Sequence, residues 1–520
     1  MTSYSDGSIP TRIFSTATAK QAPSSRAFSR QFGVSMTGIQ AVKPGTTSFC
    51  YLPTEIIQQI LPEIELHRDL VNFARASRLC SQLVIPRQTE YRALFLGNKI
   101  SAPIWAHLAC RPDLASNIRD VDIELHTGRY RREPSVLIED VDLEERPWEV
   151  QEAEIIQALG HMRRLKSFAW EHQSIRPTPP ELDQKHFPPM VFDILYQIGT
   201  VEHLFLFICD RLRFNEPIAE CGLWKMSQLR SLVLSGSCED WPSESKGNAI
   251  VLRTWLINLT SLELLDLPRG MFEEHHEFLS FPKLRYFRVN YPDGNEIVID
   301  FLARHPSIQE LFWHSTLNFT KVPSNFLPKL RRFAGRYDFI KAMASQTLID
   351  QGEPRQFEAL TLNSILEAGY FDDLCACPGI DHQALRILRI SSDDWNIHKL
   401  AAVFPMLEEL YLPSRNDFNF DDFLSGIEQF KALKMLYWKV VWGDLVIEDP
   451  DSGEPEYSFI DERVRTLGSR CPSLVQIGHP VASDRYLSIY RENGEVSAWN
   501  EHIFPNLRPL GSRFEMDSYT

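Results

Sequence analysis

The sequence predicts an α/β solenoid in which short parallel strands alternate with helices, preceded by a small helical module. Three observations predict it. An apolar phrase of the form L-x-x-L-x-L recurs along most of the chain, prolines stand two residues ahead of several of these phrases, and the composition changes abruptly at Tyr51.

The phrase begins at Ile118, Leu165, Val201, Leu229, Leu262, Leu284, Ile308, Leu330, Phe357, Leu385, Leu407, Leu433 and Leu474, and among the positions it defines only Gly335 and His479 are not apolar. Alternating apolar residues suit a short strand with one face buried. Pro282, Pro306, Pro328, Pro405 and Pro472 each lie two residues before a phrase, where a proline ends the preceding helix and leads into the strand. Helical stretches fall between phrases, at Glu296 to His305, Ile397 to Phe404, Phe420 to Phe430 and Ile460 to Arg470. Strand, turn and helix at intervals mostly between 22 and 36 residues describe irregular leucine-rich repeats over residues 110–480, with parallel strands on the concave side and helices on the convex side.

The helical module occupies residues 50–95. Pro53 suits a first helical position and Glu55 the first turn, where an acid complements the helix dipole. Ile56, Ile57, Ile60, Leu61 and Ile64 follow at helical spacing but cover more than one stripe, so one packing face cannot bury them all. Asp69 is a cap for a second helix carrying Leu70, Phe73, Ala74 and Ser77 on one face, and Pro86 opens a third. A unit of about 50 residues buries only about 60% of its unfolded surface, so surplus apolar faces call for a partner.

In residue type and spacing, Leu52-Pro53-x-Glu55-Ile56, Ile60-Leu61, Asp69-Leu70 and Ser77-Arg78 resemble the F-box pattern, and the whole resembles F-box proteins with leucine-rich repeats. The resemblance implies that this segment packs against a Skp-type adaptor through Leu52, Pro53, Glu55, Ile56, Ile60, Leu61, Leu70 and Phe73. Through that adaptor it implies a cullin and RING scaffold, with the solenoid presenting a protein substrate. Ala76 and Cys80 stand where the family has valine and tryptophan, and Pro62 falls within the first helix, where it removes a hydrogen bond. A binding scaffold with a degenerate F-box is the alternative.

Bulk properties bound the remaining choices. Hydrophobic residues make up 43% and charged residues 24% of the 520, and no apolar run approaches the roughly 18 residues of a membrane span. A net charge of −15 speaks against nucleic acid as the main ligand, because phosphate binding needs a dominant basic surface. Nine cysteines without a regular framework read as reduced thiols of a cytosolic or nuclear protein. Residues 1–49, rich in Ser and Thr with one acid, read as a disordered leader, with a mitochondrial transit peptide as the minor reading.

Insertions break the period at 126–150, 171–190, 237–249 and 444–459 and read as solvated loops, or as edges that clasp a target. Near the end, Tyr486 to Tyr490 and Val496 to Trp499 flank Asn493-Gly494, a hairpin signal expected to cap the array within 481–520. No phosphate-cradling loop, nucleophile elbow or His-Glu-x-x-His helix appears. Cys375-x-Cys377 lacks a second ligand pair, and His275-His276 reads as solvated surface. No catalytic residue, metal or cofactor is therefore expected.

Residues two, four and six after each phrase start should point away from the core. In the later repeats these include Tyr286, Arg288, Phe312, Arg332, Arg336, Arg389, Tyr411, Tyr437 and Lys439, against Glu310 and Glu409, whereas the first repeat offers Asp120, Asp122 and Glu124. A basic aromatic stripe of this kind suits an acidic or phosphorylated protein segment.

Overall fold

The computed structural model describes residues 56–57, 60–61, 64, 67–84, 93–97, 101–126, 148–173, 189–208, 221–235, 246–267, 272–273, 275–290, 295–314, 319, 321–362, 370–391, 394–413, 419–438, 446–448, 457–459, 461–478 and 485–503. The chain divides into two units, Met1–Ile64 and Glu65–Thr520. The leader, Leu52, Pro53, Glu55, the third helix expected at Pro86, His479 and Lys439 lie outside the described residues.

In the first unit Ile56, Ile57 and Ile60 are helical, and Leu61 turns more tightly, with the Ile64 N–H donating to its carbonyl at 3.3 Å. The tightening falls where Pro62 offers no N–H to continue the helix.

The second unit opens with helices α1 (His67–Ala76) and α2 (Arg78–Val84). Helix α1 starts two residues before Asp69, which therefore lies inside the first turn and not at the cap. Ser77 was expected on the face of that helix. It stands instead between the two helices, where its hydroxyl accepts from the Cys80 N–H at 3.1 Å and caps α2.

A single sheet then runs in sequence order through β1 (Ala93–Gly97), β2 (Asp120–His126), β3 (Ser167–Gln173), β4 (His203–Ile208), β5 (Ser231–Ser235), β6 (Leu264–Leu267), β7 (Tyr286–Asn290), β8 (Glu310–His314), β9 (Arg332–Gly335), β10 (Ala359–Leu362), β11 (Ile387–Ile390), β12 (Glu409–Leu412) and β13 (Met435–Trp438). Strands β14 (Val446–Glu448) and β15 (Tyr457–Phe459) form a separate antiparallel ribbon inside the last insertion, so that stretch is not a plain loop. The main sheet resumes at β16 (Gln476–Gly478) and ends in the antiparallel pair β17 (Arg485–Glu492) and β18 (Glu495–Ile503). Every expected phrase becomes a strand, and the middle apolar residue, from Phe168 through Leu265 and Leu410 to Ile477, is fully buried.

Strand β1 extends the sheet earlier than residue 110, into the segment assigned to the helical module. Its register, Leu94 with Val121 and Leu96 with Ile123, makes Tyr91-x-x-Leu94-x-Leu96 one further phrase, begun on an aromatic residue.

The helices that follow the strands are α3 (Ser101–Cys110), α4 (Pro112–Ala115), α5 (Trp148–His161), α6 (Pro189–Ile198), α7 (Lys246–Asn258), α8 (Asn295–Ala303), α9 (Tyr337–Ile349), α10 (Tyr370–Ala376), α11 (Ile397–Val403), α12 (Phe420–Ile427) and α13 (Asp461–Arg470). Asn396 and Asn419 cap α11 and α12 by accepting from the Lys399 and the Asp421 and Asp422 N–H groups. One apolar core runs between helices and sheet from Trp105 to Val496.

Two local devices repeat. Each proline ahead of a phrase occupies the second position of a tight turn, closed by N–H donation from the phrase's first residue, as in Leu284 to Phe281 at 3.0 Å and Leu474 to Cys471 at 3.0 Å. In most repeats the carbonyl one residue after the phrase start accepts two N–H groups from the next repeat. Glu202 and His203 both donate to Lys166, and Arg230 and Ser231 both donate to Glu202.

His305 shows how the core handles a polar residue. Buried where Phe281 and Phe404 stand in other repeats, it accepts from the Phe281 N–H at Nε2, 2.9 Å, and donates from Nδ1 to the Phe301 carbonyl, 2.7 Å. Both bonds are satisfied by the neutral ring alone, and burial holds its pKa below the ordinary 6.5.

Gly335, the apolar exception at the end of β9, lies beside Trp313. A Cβ there would overlap the Trp313 backbone carbonyl and the Phe333 ring, so the neighbouring strand's backbone and that ring leave no room for a side chain.

Candidate binding surface

The strand face away from the core is built from residues two and four positions after each phrase start, because side chains alternate along a strand. Paired register joins the fourth positions into one row: Asp122, Ala169, Phe205, Val233, Asp266, Arg288, Phe312, Ala334, Thr361, Arg389, Tyr411, Tyr437 and Gly478.

This row has two halves. From Asp122 to Thr361 every member is buried, and Ala169, Phe205, Val233 and Tyr286 form an apolar cluster separate from the main core, with Leu264 packed against it. Arg389, Tyr411 and Tyr437 are half-exposed, as are Arg332, Ile387, Glu409, Met435 and Gln476 at second positions, while Gly478 is buried. On the fourth-position row the accessible side chains are thus those of β11–β13, whereas second-position residues such as Asp120, His203, Leu264 and Glu310 are half-exposed in the first half as well.

The expected site residues fall into two groups. Tyr286, Arg288 and Phe312 meet in the sealed half, where Arg288 lies 3.4 Å from Asp266 and its guanidinium stacks 4.4 Å from the Phe312 ring centroid. Desolvation raises the Asp266 carboxyl to about 7, with Arg288 pulling it down. In the open half, Arg389 stacks 3.8 Å from the Tyr411 ring, which stacks on Tyr437 at 4.0 Å with planes 3° apart.

Arg332 sits between the groups, 3.9 Å from both Glu310 and Glu358. Arg336 is not on a strand; it precedes α9 and pairs with Asp338 at 3.2 Å.

Sequence reasoning missed Asp266 and Gly478. Asp266 occupies the fourth position of the repeat before Arg288, so the same counting rule carried one repeat back reaches it. Gly478 matters because a Cβ there would overlap the Tyr437 ring, so the absence of a side chain lets that tyrosine lie down.

A second row, one residue after each phrase start, alternates in sign from Lys166 to Arg285 and again from Arg331 to Lys434. Glu202 pairs with Arg230 at 3.4 Å and lies 3.9 Å from Lys166, and Arg230 reaches Glu263 at 2.7 Å. Further along, Arg331 pairs with Glu358 at 3.0 Å, while Glu408 is shared by Arg386 at 3.8 Å and Lys434 at 2.5 Å.

Of the adaptor positions, Ile56 is 40% exposed and Ile60 and Phe73 are half-buried, whereas Leu61 and Leu70 are fully buried. Leu61 and Leu70 therefore support the fold at these positions and do not present a surface.

His275, read as solvated, is buried at 4% exposure, and only its neighbour His276 is partly accessible, held by the Glu273 carbonyl at 3.0 Å. Burial pushes the Cys375 thiol up to about 11, which disfavours the thiolate a metal needs. Among the described residues no group of three His, Cys, Asp or Glu side chains could hold a metal ion, and no helix is long and apolar enough to cross a membrane.

No protein-family model matches the chain, and no curated protein matches it. Among solved structures it is similar to an internalin, inlF, from Listeria monocytogenes, at 12% identity over 54% of this chain and 76% of that one, with a TM-score of 0.24. It is also similar to TLR13, solved in complex with ssRNA13, at 14% identity over 62% of this chain and 45% of that one, with a TM-score of 0.27. The architecture is accordingly read from this chain's own strands and phrases, which make it a solenoid of leucine-rich-repeat type.

Proposed function

We propose that this protein is the substrate receptor of a Skp-cullin-F-box type ubiquitin ligase, working in cytoplasm or nucleus. The observation that carries the reading is the joining, in one chain, of the F-box-like positions 52–80 to a repeat solenoid whose strand face is accessible over β11–β13. Rigid parallel strands present side chains at fixed spacing, which suits capture of a protein segment. Residues Ile56, Ile60 and Phe73 are the accessible part of the adaptor set, and Leu52, Pro53 and Glu55 complete it in sequence. Transfer of ubiquitin belongs to the RING and conjugating-enzyme partners, and this chain contributes proximity.

Replacing Leu52 and Ile60 together by Glu is expected to abolish co-purification with the Skp-type adaptor while leaving the melting transition of the solenoid in place. Undiminished adaptor binding by that variant would sink the ligase assignment.

The second reading is a binding scaffold outside the ligase. The full burial of Leu61 and Leu70 favours it, since it narrows the surface left for an adaptor. A pull-down that returns partners of the solenoid but neither adaptor nor cullin selects it.

A further inference from the structure

The helix side of the array changes character along its length. From α10 to α13 no large apolar side chain is exposed among the described residues; the exposed positions include Asp372, Asp373, Asp422 and Glu428. A polar bridge ties each helix to the next from α9 onward: Lys341 to Asp373 at 2.6 Å, Lys399 to Asp372 at 2.5 Å, His398 to Asp422 at 3.3 Å and Arg470 to Glu428 at 3.0 Å.

Around α6 and α7 the pattern is reversed. Met190 and Tyr196 are exposed on α6, Ile250 and Ile257 on α7 at 66% and 42%, and Phe278 on the 3₁₀ turn His276–Phe278 that follows. Residues 250, 254 and 257 share one face of α7, and the Thr254 hydroxyl turns back to donate to the Ile250 carbonyl at 2.8 Å. That bond takes the one polar side-chain group of the ridge out of the surface. Single exposed aliphatic residues are ordinary, but a contiguous apolar patch marks a place where something binds.

Two cations flank the ridge. Lys225, in the turn Gly222–Lys225 between α6 and α7, lies 6.0 Å from the Tyr196 ring centroid, and Trp224 of the same turn packs edge-on against Trp255 of α7 at 5.2 Å. On the other flank the Arg253 guanidinium lies 3.2 Å from the Phe278 ring centroid. Among the described residues neither cation has an acid partner. Asp193 accepts from the Gly222 N–H at 2.7 Å, and the exposed Glu277 does not pair with Arg253.

We infer that the α7 ridge docks a helix of a partner protein, aliphatic along its seam and carrying Asp or Glu on both flanks. Its seam rests on Ile250, Thr254 and Ile257, at the i, i+4, i+7 spacing that meets a facing helix, and its acids reach Lys225 on one side and Arg253 on the other. Charge complementarity selects this occupant. An anionic bilayer would meet a chain of net charge −15, and a second copy across a twofold axis would bring the same pair of cations from both sides. The surface lies on the helix side and gives the chain a second partner, beyond whatever the strand face holds.

The test displays a library of helical peptides of about 18 residues, five turns, apolar at every third and fourth position and randomised elsewhere, and selects it on the full chain. Wild type is expected to enrich peptides with Asp or Glu beside the seam. Ile250→Glu with Ile257→Glu should bind them about tenfold or more weaker. Lys225→Glu with Arg253→Glu should reverse the choice toward Lys or Arg flanks. Ile349→Ser, on α9 and 72% exposed, should change affinity by no more than about twofold.

If the double Ile variant does not fold, as judged by its melting transition, Ile250→Ser alone is measured and a severalfold loss is expected. Failure to enrich any helix, selection that is indifferent to the Ile250 and Ile257 changes, or neutral or basic flanks on wild type would each overturn the inference. So would binding to phosphatidylserine vesicles that the Ile variants lose, which makes the surface a lipid one, or a dimer that they dissociate in sedimentation, which makes the occupant a second copy. Adaptor co-purification depends on residues 52–73, none of which is altered here, so this inference and the ligase reading can fail separately.

Discussion

At the scale of single residues, the buried leucine in the middle of each phrase is the unit of stability. Leu265 and Leu410 are fully buried between sheet and helices. Changing either to Ala should cost about 2–5 kcal/mol, seen as a lowered denaturation midpoint with an unchanged slope. A melting point within a degree of wild type would show the register to be wrong.

His305 adds a dependence on pH. Its folded-state pKa lies below the ordinary 6.5, so its contribution is complete above 6.5 and is lost as pH falls from there toward the depressed value. His203 is shifted the same way by burial and adds to the same window. Stability should therefore decline on acidification below about 6.5, and His305→Phe should flatten part of that decline. The same variant leaves the Phe281 N–H without its acceptor, at about 1–3 kcal/mol near neutral pH. Chemical denaturation at several pH values checks both effects.

At the scale of elements, strands were legible because their signal is local. A phrase of three apolar residues fixes both strand and register, and Pro at the second turn position fixes where it starts. Strand β1 escaped because its phrase begins with Tyr91, although Leu94 and Leu96 hold the right places. The start of α1 and the role of Ser77 escaped for another reason: capping is decided by which residue leaves the helix, and Asp69 and Ser77 are equally good candidates in sequence.

Whether Arg288 is open or sealed could not be read at all, since it depends on Asp266, Phe312 and their neighbours, which come from three different repeats. The terminal hairpin was plain because Asn493 and Gly494 both adopt positive φ, 56° and 86°, the geometry of a two-residue turn between twisted strands. Gly494→Val should cost about 1 kcal/mol or more through strain at that φ, measurable as a drop in melting temperature.

At the scale of the whole molecule, one uninterrupted core means that each repeat is stabilised by its neighbours, so the ends matter more than their size suggests. The β17–β18 hairpin covers β16, and Arg465 donates to the Val496 carbonyl at 2.8 Å near the start of the outermost strand. A chain ending after Gly478 should expose the β16 edge and self-associate, which light scattering or size-exclusion chromatography would reveal; a monodisperse product would argue against the capping role.

The alternating row of Lys166, Glu202, Arg230 and Glu263, resumed by Arg331, Glu358, Arg386, Glu408 and Lys434, also bears on how such an array can change length. Excising the repeat that carries Glu202 would set Lys166 beside Arg230, like against like, whereas excising two adjacent repeats would restore a plus-to-minus neighbour. Each exposed pair is worth only about 0–1 kcal/mol, and one excision alters a single junction, so the penalty is of that size. The charges thus work as a parity check, tolerating gain or loss of repeats in twos and penalising it in ones.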